Sequence, residues 1–236
     1  MLRQVIVDTE TTGLYANAGD RIIEFAGLEM ISRRLTGKRL HFLIYPDCDI
    51  HEEAIKIHGI TLEALQGAPR FHEVGLEIQE FLKGAELIIH NAPFDVAFLD
   101  QEFLRMGLPR VESIVDNVID TLAHAKKKYP GKRNSLDALC DRLSIDKSSR
   151  VLHGALVDCE LLAKVYLAMT HGQYSLDMVL EAESGVRKAD SGQGMFEFGE
   201  LNLKVLKATK EELNLHESYL DELQAVVSPI YRLGSS

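Results

Sequence analysis

Three segments with the apolar, β-branched character of strands open the chain, Arg3 to Asp8, Arg21 to Ile31 and Arg39 to Tyr45, before any helical period begins. Joined by short Gly- or Arg-containing connectors, they predict an antiparallel meander. The spacing then turns helical from about Phe71 to Leu82 and leads into the apolar run Leu87-Ile88-Ile89, bounded by Gly84 and by His90-Asn91. A helix feeding a buried strand implies a crossover onto the same sheet. Helical spacing returns from Phe94 to Arg105, ended by Gly107 and Pro109, and again around 120–127, 135–143 and 155–169. Strands first, then alternation, then helices predict an α/β or α+β domain on a mixed sheet, closing near residue 170.

The rest of the chain has another character. Gly185, Gly192, Gly194 and Gly199 stand among scattered charges with few aliphatics, as in a flexible linker. Beyond it Leu201, Leu203 and Val205 alternate as in a strand, and Thr209-Lys210-Glu211-Glu212 has the form of a capping box opening a helix to about Val227. Such a strand and helix either await a partner or fold back on the main domain.

Among 236 residues no run approaches the roughly 20 apolar residues of a membrane span, and the N-terminus enters Val5-Ile6-Val7 with no signal-type stretch before it. The expectation is a cytoplasmic protein with no membrane contact. Cys48, Cys140 and Cys159 are too few and too scattered for a disulfide framework or a zinc site, and read as reduced thiols. A net charge of −10 argues against nucleic-acid binding by a globally basic surface. It does not exclude a nuclease, because bound divalent cations reverse the local field where a phosphate sits.

Asp8 and Glu10 lie two residues apart where the first strand ends, so both carboxylates leave the same face. Paired oxygens on one rim suit hard cations such as Mg²⁺ or Mn²⁺, and the small residues of Thr11-Thr12-Gly13-Leu14 let a ligand approach the backbone. Asp-x-Glu also arises by chance in an acidic protein. Asp95, after His90-Asn91-Ala92-Pro93-Phe94, favours the helix dipole if it acts alone, but lies near Asp8 and Glu10 if its preceding strand neighbours the first. In His153-Gly154-Ala155-Leu156-Val157-Asp158 the five-residue spacing excludes a shared helical face, so His153 belongs to the loop before the helix that carries Asp158. An imidazole, with its ordinary pKa near 6.5, beside a metal site is suited to general-base work.

Together the strings Asp8-Thr9-Glu10-Thr11-Thr12-Gly13-Leu14, Asn91 to Asp95 and His153-x-Ala155-x-x-Asp158 resemble the three motifs of the DEDDh exonuclease family, in the family's order. Over residues 1 to about 173 the chain also resembles the epsilon proofreading subunits of bacterial DNA polymerase III. Arg33-Arg34-Leu35-Thr36-Gly37, Ile57-His58-Gly59-Ile60 and Pro130 to Cys140 carry that likeness.

The resemblance implies an RNase H-like, mixed five-stranded sheet flanked by helices, with a flexible C-terminal linker and docking segment. The implied domains are 1–172 for the exonuclease, 173–200 for a clamp motif and linker, and 201–236 for a polymerase-docking tail. It implies removal of mismatched nucleotides from primer 3′ ends of DNA by two-metal hydrolysis, releasing nucleoside 5′-monophosphates. Asp8, Glu10 and Asp158 would hold two Mg²⁺ or Mn²⁺, Asp95 would act through ordered water, and His153 would deprotonate the attacking water. Activity should then rise with pH as an imidazole loses its proton. The terminal nucleotide would meet Asp8, Glu10, Asp158, Glu53 and His58, with Thr11, Thr12, Leu14, Asn91 and Phe94 lining its pocket.

Gln173-Tyr174-Ser175-Leu176-Asp177-Met178 resembles a sliding-clamp motif through Gln173, Ser175, Leu176 and Met178, and the final helix resembles the segment that docks on the alpha, or polymerase, subunit. An RNA-trimming exoribonuclease of the same family is the main alternative, because the catalytic residues act on the phosphate and do not separate DNA from RNA. A non-catalytic scaffold is disfavoured because all five catalytic residues are present.

Overall fold

The computed structural model describes residues 2–148 and 152–170, together with positions 209, 210, 214, 216 and 218. Strand β1 (Arg3–Thr11) runs past Asp8 because β2 (Ile22–Ile31) pairs with it antiparallel throughout, placing Asp8 opposite Ala26 and Glu10 opposite Glu24. The register shifts between Glu10 and Thr11. Strand β3 (Arg34–Leu43) starts five residues before the apolar run suggests, following a turn in which Ser32 and Arg33 take φ of 49° and 63°. Positive φ at both turn residues matches the twist of hairpin strands, so cross-strand pairing holds the polar stretch Arg34–Lys38 in the sheet. The charges of this stretch suit an edge strand that must not pair further.

Strand β4 (Glu86–Ile89) lies parallel to β1, and β5 (Asn117–Asp120) parallel to β4, giving the order β3-β2-β1-β4-β5. The mixed five-stranded sheet is therefore present. Strand β5 carries no periodic signal of its own, because only Val118 and Ile119 are apolar in it.

The helices are α1 (Glu52–His58), α2 (Phe71–Leu82), α3 (Ala92–Arg105), α4 (Thr121–Lys128), α5 (Leu136–Arg142) and α6 (Ala155–Met169). Helix α1 is also unforeseen, since seven residues with a largely exposed surface carry little apolar period. Its acidic first turn and basic last turn agree with the helix dipole, and Gly59 ends it at φ 73°.

Alternation along β1 divides the interior. Val5 and Val7 pack with Phe71, Ile78, Phe98 and Phe103 of α2 and α3. Ile6 packs with Leu139 of α5 and with Cys159, Leu162 and Tyr166 of α6. Each such large side chain contributes about 1.5–3 kcal/mol when fully buried, so the two helical layers hold β1 from both sides.

Among the described residues no helix is long and apolar enough to cross a membrane. The chain divides after Gly185 into two units, and the sheet with helices α1–α6 belongs to the first. In the second, Lys210, Asn214, His216 and Ser218 are helical, and the Ser218 hydroxyl donates to the Asn214 carbonyl at 3.0 Å. The expected clamp motif at 173–178, the linker and the strand from Leu201 to Val205 lie outside the described residues.

Candidate active site

Asp8 and Glu10 share the Ile6 face of β1, directed toward α6. Asp158 comes down to the same place as the fourth residue of α6 and is 4% exposed. His153, on the loop just before the helix, brings Nδ1 to 3.3 Å from Asp158 Oδ2. The loop is held at that spot by the His153 N–H donating to the Ile57 carbonyl of α1 (3.2 Å). Leu152 covers Gly59, where a Cβ would lie 2.5 Å from Leu152 Cδ1.

Asp95 approaches from the opposite helical layer. It is 3% exposed in the first turn of α3, and its Oδ1 accepts from the Thr9 N–H (3.1 Å) and the Thr9 hydroxyl (2.7 Å). The parallel pairing of β4 with β1 brings this about, since it sets the C-terminal ends of the two strands side by side. The turn into α3 passes through Asn91 at φ 70°, whose N–H donates to Asp120 Oδ1 at 3.1 Å.

Concentrating these carboxylates has an electrostatic cost. Burial, and then the charges of Asp95, Asp158, Glu10 and Glu24, push the Asp8 carboxyl well above its ordinary range. Burial pushes Asp95 up to about 7 despite its bonds to Thr9. Burial also raises the Cys159 thiol, which donates to the Ile6 and Ala26 carbonyls beneath the site and is kept from thiolate reactivity.

Donor atoms of Glu10, His153 and Asp158 lie within 4.8 Å of one another. Asp8 is not one of that trio but stands within Coulombic reach of Glu10 and Asp158. Oxygen donors on buried, mutually repelling carboxylates fit a hard divalent cation, whose charge compensates the repulsion.

Beside the carboxylates opens a cavity of about 310 Å³ lined by Glu10, Thr11, Leu14, Glu53, His58 and Phe94, with Thr9, Gly13, Tyr15, His51, Ala54 and Ile57 completing its wall. Two residues expected in the wall are absent from it. Thr12 is fully buried, its hydroxyl donating to Asp20 Oδ1 at 3.1 Å, and Asn91 is used in the turn above. His58 is buried, which lowers its pKa against a backbone bond to Thr11, and its Nδ1 accepts from the Ile60 N–H at 2.9 Å.

Glu24 was not foreseen. It is 6% exposed and faces Glu10 across the β1–β2 pair, an arrangement that costs stability in itself. Its Oε2 accepts from the Ala155 N–H at 3.1 Å and its Oε1 meets His41 Nε2 at 2.8 Å. A carboxylate of β2 thus ties down the first turn of α6, from which Asp158 projects. A charge inside the apolar run Ile22-Ile23-Glu24-Phe25-Ala26 was the available signal. Glu24→Ala is expected to destabilise the chain by about 1–3 kcal/mol by stranding a buried N–H. Glu24→Gln, which keeps an acceptor, should lose less in denaturant unfolding.

Residues 5–166 match the model of the exonuclease family. The DNA polymerase III subunit epsilon of Pasteurella multocida is 48% identical, the match spanning 92% of this chain and 88% of that one. The subunit of the same name from Escherichia coli K12 is 44% identical over 94% of this chain and 93% of its own. Exonuclease X in complex with 5′ overhanging duplex DNA superposes with a TM-score of 0.56 at 26% identity, covering 71% of this chain and 90% of that structure. The zinc-bound E. coli exonuclease I complex with single-stranded DNA gives a TM-score of 0.66 at 20% identity, over 77% and 43% of the respective chains.

Proposed function

This chain belongs to the exonuclease family, among relatives named DNA polymerase III subunit epsilon, and from that premise we propose that it is the proofreading 3′→5′ exonuclease of a bacterial replicase. It removes mismatched nucleotides from primer 3′ ends of DNA as nucleoside 5′-monophosphates. The observation that carries the reading is the convergence of Asp8, Glu10, Asp95, Asp158 and His153 beside a cavity able to take one nucleotide.

Asp8, Glu10 and Asp158 would hold two Mg²⁺ or Mn²⁺ ions. Such ions, when bound, compensate charge on the attacking and leaving oxygens of an in-line displacement. His153, fixed through its backbone to Ile57 and reaching Asp158, accepts the proton of the attacking water. Asp95, its carboxylate oriented by Thr9, would act through ordered water. Glu53 and His58, both in the cavity wall, would help hold the terminal nucleotide, with Thr11, Leu14 and Phe94 of the same wall lining its pocket.

The remainder serves attachment, with 1–172 as the exonuclease domain, 173–200 as clamp-binding segment and linker, and 201–236 as the tail for the polymerase subunit. Gln173, Ser175, Leu176 and Met178 make the clamp contact. Tethering raises the effective concentration at the primer end, which a chain of net charge −10 requires because its free affinity for DNA is low.

Digestion of matched DNA and RNA oligonucleotides, and of paired and mismatched primers, tests the reading. The DNA strand with a mismatched end should be shortened fastest, in a cation-dependent way. A strong preference for RNA would leave the RNA-trimming enzyme of the same family as the answer.

A further inference from the structure

We propose that Tyr15 is a stacking platform for the base of the penultimate nucleotide, a substrate-binding element at the mouth of the cavity that holds the terminal one. The inference rests on the nuclease reading above. A cavity of about 310 Å³ lies at the low end of the roughly 300–1,000 Å³ of small-molecule sites and admits a single nucleotide. The next base therefore lies at the mouth, where Leu14 and Tyr15 are each 67% exposed.

Tyr15 is held from behind although its ring is bare. Its N–H donates to Asp20 Oδ2 at 2.8 Å, and the other oxygen of this buried carboxylate accepts from the Thr12 hydroxyl at 3.1 Å and lies 3.5 Å from His51 Nε2. Gly13 permits that fit, since a Cβ there would lie 2.5 Å from Asp20 Oδ2. The chain then makes a short 3₁₀ turn, Ala16–Ala18, closed by Gly19 at φ 109°. An aromatic side chain with two torsions on a backbone so fixed loses little entropy when a base covers it.

The chemistry of the wall selects the base over the phosphate. None of the described residues lining the cavity is Lys or Arg, and two of them, Glu10 and Glu53, are acidic. Neutralising backbone phosphates is therefore not the grip at this mouth. Stacking is, and it tolerates any base because every base has a π-face.

The test compares wild type, Tyr15→Phe and Tyr15→Ala on a single-stranded oligonucleotide, on the same strand lacking its penultimate base, and on the p-nitrophenyl ester of thymidine 5′-monophosphate, which has no second nucleotide. Tyr15→Ala should raise KM on the intact strand roughly 5- to 100-fold more than on the ester, and Tyr15→Phe should stay close to wild type. Removing the penultimate base should cost wild type a similar factor and Tyr15→Ala little more. Equal losses on strand and ester, or an equal penalty for base removal in wild type and Tyr15→Ala, would overturn the platform while leaving the nuclease intact. A wild type that releases nucleotide from none of the three would overturn the nuclease reading and this proposal together.

Discussion

Asp8→Asn should lower nucleotide release by roughly 10³-fold or more, several kcal/mol of transition-state stabilisation, and at the same time raise the melting temperature of the metal-free chain. Both effects come from one arrangement. Asp8 is half-buried and crowded by Asp95, Asp158, Glu10 and Glu24, and without a cation its ionised form is repelled by each of them. The amide removes that repulsion together with the charge that holds the metal. Calorimetry with and without Mn²⁺ reads both, since the cation should stabilise the wild type strongly and the variant little.

The pH dependence has a definite sign. Asp95 rises from an ordinary 3.8 to about 7 in the folded chain, and Asp8 is also raised. A carboxyl raised on folding contributes stability fully present below its unfolded value and lost as pH climbs through the folded one. The metal-free protein should therefore lose stability as pH rises from about 4 through about 7, and a saturating divalent cation should flatten that decline. Metal-free melting temperatures that rose over this range would contradict the packing of the site.

His153→Ala should cut turnover by about 10²- to 10⁴-fold, the range for loss of a general acid or base, while the cation still stabilises the protein. The substitution leaves the backbone bond from His153 N–H to the Ile57 carbonyl in place, so the loop should keep its position. The geometry also supplies the rival role, because a ring nitrogen of His153 shares a 4.8 Å cluster with Glu10 and Asp158. The Mn²⁺ concentration at half-maximal stabilisation separates the two. If it rises in step with the loss of turnover, His153 is a ligand of the metal and not the base.

Much of the fold could be read from local pattern. The span of α2 is that of its apolar period, and α6 begins at Ala155, as the placement of His153 in a preceding loop requires. The misses share a cause. Helix α1 and strand β5 are short and half polar, and β3 begins in a run of charges, so none has enough periodic burial to announce itself. Each exists because a neighbour completes it: β2 for the start of β3, β4 for β5, and the loop carrying His153 for the end of α1.

The same division runs through the site. Residue spacing alone determined that Asp8 and Glu10 leave one face of a strand and that His153 and Asp158 come from a loop and the helix after it, because backbone periodicity is a property of neighbours in the chain. Only the tertiary structure decided that Glu24 stands opposite Glu10 and anchors Ala155, that Asp95 is gripped by Thr9, and that Thr12 turns away to Asp20. Strand register, crossover pairing and the demand of buried polar groups for partners join residues far apart in sequence, and no local pattern encodes which of them will meet.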